Sequence, residues 1–71
     1  IFLASTAQII GDVTIGEGSS IWYNVVLRGD VMPIKIGKDS NIQDGTVIHG
    51  TYPKCGTTVG DRVTVGHTAI L

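Results

Sequence analysis

The chain has 71 residues, 42% of them hydrophobic and 15% charged, with a net charge of −1. This is enough for at most one small domain, and five basic against six acidic residues leave no basic patch for nucleic acid and no charged tail. No apolar run approaches the ~20 residues of a membrane span, no signal-peptide pattern is present, and the single Cys55 can form no internal disulfide, so a cytoplasmic location is expected.

Only Phe2, Trp22, Tyr23 and Tyr52 are aromatic, and the apolar content is mostly Ile and Val beside ten Gly. β-Branched residues with turn residues predict strands. Taken from the N-terminus, Leu3, Ile9, Ile15, Ile21 and Leu27 recur every six residues; the series resumes at Ile36, Ile42 and Ile48, and again at Val59, Val65 and Leu71. Four places after most of these aliphatic residues stands a small or β-branched one: Ala7, Val13, Ser19, Val25, Val31, Ser40, Thr46, Val63 and Ala69. A period of six fits neither a 3.6-residue helix nor a simple hairpin. It resembles the hexapeptide repeat of left-handed parallel β-helices, in which three short strands make one triangular coil and the aliphatic residue points inward. The expectation is an all-β, left-handed parallel β-helix of about four coils, with residues 1–71 as a single domain. The handedness is implied by that resemblance. A β-sandwich with coincidental spacing is the alternative.

Two interruptions lengthen the count. Leu27 to Ile36 has three residues too many, assigned to a Pro33-Ile34-Lys35 segment, and Ile48 to Val59 has five too many, assigned to the loop from Tyr52 to Thr57. Insertions in a solenoid emerge as loops and often carry function.

Three repeats per coil put Leu3, Ile21, Ile42 and Val65 on one face, Ile9, Leu27, Ile48 and Leu71 on a second, and Ile15, Ile36 and Val59 on a third. Arg28 and His49 each follow a second-face core residue by one place, so they stack in one column. Asp44 and His67 each follow a first-face residue by two places and stack in another. His49 and His67 are therefore expected on different faces, able to share a ligand only between subunits packed about a threefold axis. Zn²⁺ takes imidazole nitrogen at ~2.0–2.1 Å, and catalytic sites keep three protein ligands with an open position. Two histidines without a short His-x-His spacing read equally as exposed or hydrogen-bonded surface imidazoles.

The segments "VLRGD", "MPIKIGKDSNIQDGTVIH" and "TTVGDRVTVGHTAIL" resemble the γ-class carbonic anhydrase family over essentially the whole chain. The resemblance implies a homotrimer of β-helices with a metal, Zn²⁺ or Fe²⁺, at each subunit interface, held by three histidines. It implies that His49 and His67 are two of these; the third would fall at position 72, directly above His49, so His67 would come from the neighbouring subunit. Arg28 and Asp30 resemble the family's interfacial ion pair, which otherwise reads as a solvated surface pair. Gln43 resembles the residue that hydrogen-bonds the metal-bound water, and Asp44 a carboxylate that organises the site. Asp44-Gly45 also reads as a turn pair, and a turn Asp can still face a site.

The implied activity is reversible hydration of CO₂ to bicarbonate by a metal-bound hydroxide. Departures from the family weaken it: Val31 follows Asp30 where active members carry an acidic shuttle, the Tyr52–Thr57 loop holds Lys54 and Cys55 but no carboxylate, and the position of the family's third histidine falls past Leu71. Little or no activity is expected of the 71 residues, which correspond to N-terminal and central coils of a longer fold. The alternatives are a hexapeptide-repeat acyltransferase with a histidine base and a coenzyme A thioester, or a non-catalytic trimeric scaffold.

Overall fold

Among the described residues, every strand pairs with a strand one coil away, never with its neighbour in sequence. A computed structural model describes residues 1–49 and 56–71. Its strands are β1 (Phe2–Leu3), β2 (Gln8–Ile15), β3 (Ser20–Ile21), β4 (Val26–Ile36), β5 (Asn41–Ile42), β6 (Val47–His49), β7 (Thr57–Val59) and β8 (Thr64–Val65). All their pairings are parallel. The first face is the sheet β1-β3-β5-β8, in which Leu3, Ile21, Ile42 and Val65 stand in register. On the second face Ile9, Leu27 and Ile48 align, and on the third Ile15, Ile36 and Val59. Leu71 caps the second column: its N–H donates to Val47 O at 3.0 Å and its carbonyl accepts from His49 N at 3.2 Å, bracketing Ile48. The six-residue period thus becomes a parallel β-helix, as expected.

The core lies inside the coil. Ile21, Val25, Leu27, Ile34, Ile36, Ile42, Ile48, Val59 and Val65 form one buried cluster, each large aliphatic side chain contributing about 1.5–3 kcal/mol. Leu3 and Ile9 in the first coil and Leu71 at the other end are exposed, because a stacked coil is covered only by its neighbours.

Two corners are two-residue turns whose second residue has positive φ: Asn24, Gly45 and Thr68 at one, Gly18, Asp39 and Arg62 at the other. The third corner is different. β2 and β4 run through it unbroken, with a register shift between Gly11 and Val13. Gly11 has φ +77°, and a Cβ there would stand 2.5 Å from Gly29 O, so only glycine lets the two coils approach.

Polar residues inside the coil join one turn of the helix to the next. The Ser19 hydroxyl donates to Gly37 O at 2.6 Å and accepts from Ser40 N at 3.1 Å; the Ser40 hydroxyl donates to Gly60 O at 2.6 Å and accepts from Val63 N at 3.1 Å. Thr46 Oγ1 donates to Gly66 O at 2.9 Å. Buried hydroxyls at this repeat position are therefore satisfied by backbone, as burial demands.

The first insertion needs correcting. Gly11 pairs with Gly29 and Val13 with Ile34, so the extra residues lie in 30–33. Ile34, Lys35 and Ile36 are regular strand, aligned with Thr57, Thr58 and Val59. Ile34 takes the place opposite Val13 that an unbroken count gives to Val31. Pro33 cannot donate a ladder hydrogen bond, and the register restarts directly after it. The second insertion is shorter at its end than expected, because Thr57 already belongs to β7; Tyr52, Lys54 and Cys55 lie outside the described residues.

Candidate active site

On the first face each core residue is flanked by two outward neighbours, because side chains alternate along a strand. Around Ile42 these are Asn41 and Gln43, around Ile21 Ser20 and Trp22, around Val65 Thr64 and Gly66. Coil stacking turns them into two columns, Ser20–Asn41–Thr64 and Trp22–Gln43–Gly66. Gly66 has no side chain, and a Cβ built there would meet nothing within 4 Å, so the space beside Gln43 stays open. Next to these columns the turn stacks Tyr23, Asp44 and His67: Gly45 N donates to Tyr23 O at 3.0 Å and Thr68 N to Asp44 O at 2.9 Å. The result is a groove of about 380 Å³ lined by Ser20, Trp22, Asn41, Gln43, Asp44 and His67.

Three of the residues singled out in the sequence, Gln43, Asp44 and His67, therefore meet at one groove. Asp44 is both a turn residue, with Gly45 at φ +76° behind it, and a groove residue. Polar side chains run along the wall: Gln43 Nε2 donates to Asn41 Oδ1 at 3.0 Å, and Asn41 Nδ2 donates to Thr64 Oγ1 at 3.1 Å. Below them Trp22 Nε1 donates to Ser20 Oγ at 2.9 Å, and the indole packs on Phe2 with ring centroids 4.9 Å apart.

His49 is elsewhere. It stands in register with Arg28 on the second face and is half-buried. Its backbone is held on both sides, with N donating to Leu71 O and O accepting from Thr57 Oγ1 at 3.1 Å. His67 sits at the turn entering the second face and His49 ends β6 on it, so the two imidazoles occupy opposite edges of that face. Arg28 Nη2 lies 3.1 Å from Asp30 Oδ2, in an ion pair whose partners are 49% and 39% exposed; in water such a pair contributes little. Among the described residues no three His, Cys, Asp or Glu side chains gather closely enough to hold a metal ion. Imidazole is the right donor for the expected metals, but one chain does not bring its two imidazoles together.

Sequence reasoning passed over Asn41, Thr64 and Ser20. The signal was present: they precede three first-face core residues by one place, so the same count that stacks Asp44 with His67 locates them.

No family model matches the chain. It is 50% identical to "Gamma carbonic anhydrase 2, mitochondrial" of Arabidopsis thaliana over all of this chain and 27% of that protein. It is 54% identical to "Probable carbonic anhydrase" of Methanocaldococcus jannaschii over 97% of this chain and 43% of that protein. Among solved structures, a hexapeptide transferase family protein from Anaplasma phagocytophilum superposes with a TM-score of 0.76 at 47% identity, over 97% of this chain and 43% of its own. The chain thus spans under half the length of these relatives. Over its whole length, on a left-handed hexapeptide-repeat β-helix, the chain is similar to one part of γ-class carbonic anhydrases and of a hexapeptide transferase family protein.

Proposed function

We propose that this chain forms part of a metal-dependent carbonic anhydrase, catalysing reversible hydration of CO₂ to bicarbonate at an interface between copies of itself. The observation that carries this reading is the groove that gathers Gln43, Asp44 and His67 while His49 stands apart on the second face. One chain cannot close a histidine site, so His67 of one copy and His49 of the next would hold the ion, zinc or ferrous iron, in a homotrimer. Such an ion lowers the pKa of bound water to ~7 and supplies hydroxide at neutral pH. The chain's own residues do the rest. The Gln43 carboxamide, fixed at Nε2 by Asn41, orients the attacking oxygen. Hydration releases one proton for each bicarbonate formed, and Asp44, an exposed carboxylate in the groove, is placed to organise its departure. Arg28 and Asp30, one strand from His49, belong to the face that meets the neighbouring copy. A cytoplasmic setting is part of the proposal; among the described residues no helix is long and apolar enough to cross a membrane.

Stopped-flow CO₂ hydration with zinc, and with ferrous iron added anaerobically, tests it. Activity that follows metal content and is lost in Gln43→Ala supports the reading; metal-free protein as active as the loaded form overturns it. A second reading, acyl transfer, is favoured by the hexapeptide transferase likeness. Saturable binding of an acyl-coenzyme A thioester without metal-dependent hydration would select it.

A further inference from the structure

We propose that Thr64 is a positioning residue for this site: its hydroxyl anchors the Asn41 carboxamide that in turn holds the Gln43 carboxamide in the groove. The inference rests on the carbonic anhydrase reading of the groove and adds a residue to it. A carboxamide has a donor end and an acceptor end, and Gln43 is useful only if one of them is held in place. The holding is done by a relay along the outer wall. Asn41 Nδ2 donates to Thr64 Oγ1 at 3.1 Å, which turns Asn41 Oδ1 towards Gln43; that oxygen accepts from Gln43 Nε2 at 3.0 Å. Gln43 Oε1 is then left as the acceptor for a groove ligand. Two adjacent coils contribute, because Asn41 and Thr64 occupy one column across β5 and β8 while Gln43 directly follows the strand that holds Asn41. Asn41 and Gln43 are half-buried, Thr64 exposed, so Thr64 is the outermost anchor of the chain of hydrogen bonds. Without it Asn41 loses its anchor on the next coil, and Gln43 loses the fixed partner that holds its carboxamide in place.

The test substitutions are Thr64→Val and Thr64→Ser. Valine is isosteric with threonine and equally suited to a strand, so β8 is kept while the hydroxyl is lost; serine restores the hydroxyl. The first measurement is the side-chain NH₂ resonances of Gln43 in ¹⁵N-labelled protein, identified by their loss in Gln43→Leu. They are expected to move in Thr64→Val and to return in Thr64→Ser. The second is CO₂ hydration by the zinc-loaded protein. In Thr64→Val, kcat is expected to fall about two- to tenfold, the worth of one neutral hydrogen bond, with KM within about twofold of wild type because orientation rather than ground-state binding is lost. The double variant Thr64→Val/Asn41→Ala should be no slower than Asn41→Ala alone, since both lie on one relay. Gln43 resonances unchanged in Thr64→Val overturn the proposal, as does a loss of kcat that serine does not restore. If neither this chain nor a longer form carrying a third histidine hydrates CO₂, yet the Gln43 resonances follow Thr64 as described, the relay stands and the reading of the activity falls.

Discussion

Ser40→Ala should be among the most damaging single-atom deletions in the chain, although it leaves no sizeable cavity. Ser40 is 1% exposed. Its hydroxyl donates to Gly60 O at 2.6 Å and accepts from Val63 N at 3.1 Å, so it serves two backbone groups of the next coil at once. An unmet buried polar group costs about 1–3 kcal/mol. Gly60 and Val63 are exposed as residues, so water reaches part of that backbone and the low end applies to each group. The expected loss is about 2 kcal/mol, which for a domain of 60–100 residues lowers Tm by about 8–16 °C. Urea denaturation followed by far-ultraviolet circular dichroism measures it, with Ser5→Ala, an exposed turn position, as the control. A Ser40→Ala loss no greater than that of Ser5→Ala would show that the hydroxyl does not join the coils, and the interpretation of the buried serine ladder would fall with it.

Gly11→Ala should cost more than the ~1 kcal/mol typical of an unfavourable backbone, because its Cβ would strike Gly29 O as well as require φ +77°; the same denaturation assay reads it. Ile42→Ala, at a fully buried first-face position, should lose about 2–5 kcal/mol, against a much smaller loss for Leu3→Ala at the exposed end of the same column. In a one-to-one mixture of His49→Ala and His67→Ala chains, refolded together, about a quarter of the interfaces of a cyclic trimer would carry both histidines; bound zinc should recover to that fraction, and equal zinc in both unmixed variants and wild type would remove these residues from the site. Arg28→Ala should shift the assembly towards smaller species in light scattering at low protein concentration, and an unchanged mass would leave the Arg28–Asp30 pair a surface feature.

Much of this architecture is legible in the sequence because a six-residue period leaves few choices. Once three repeats are assigned to a coil, the partners of Ile21, Leu27 and Ile36 follow by addition, and the register agrees at every one of them. The same addition separates His49 from His67. It does not show where an insertion leaves the strand. Around Pro33, the hydrophobic Ile34 looks as expendable as its neighbours until pairing with Val13 shows that it is buried core and that the surplus lies in 30–33. Side-chain hydrogen bonds across columns are also beyond a count: spacing places Asn41 under Thr64, but rotamers decide that their amide and hydroxyl meet. The proposed metal site needs a second copy, and a single chain's sequence pattern specifies only which faces carry its histidines.

The uniform pairing distance has a consequence for how the molecule comes apart. Each strand meets its partner 18 to 23 residues away, from Phe2 with Ser20 to Asn41 with Thr64, so no strand has a local partner to fall back on. A coil exists only while a neighbouring coil does. Opening therefore proceeds from the two ends, where Leu3 and Leu71 are already wet, as a zipper rather than as a single melt. Amide hydrogens around Ile42 should be the last to exchange, and those of β1 and Leu71 the first. A groove assembled from three successive coils inherits that gradient: its Ser20 and Asn41 walls are held from both sides, while its His67 wall is secured by whatever stacks next upon it.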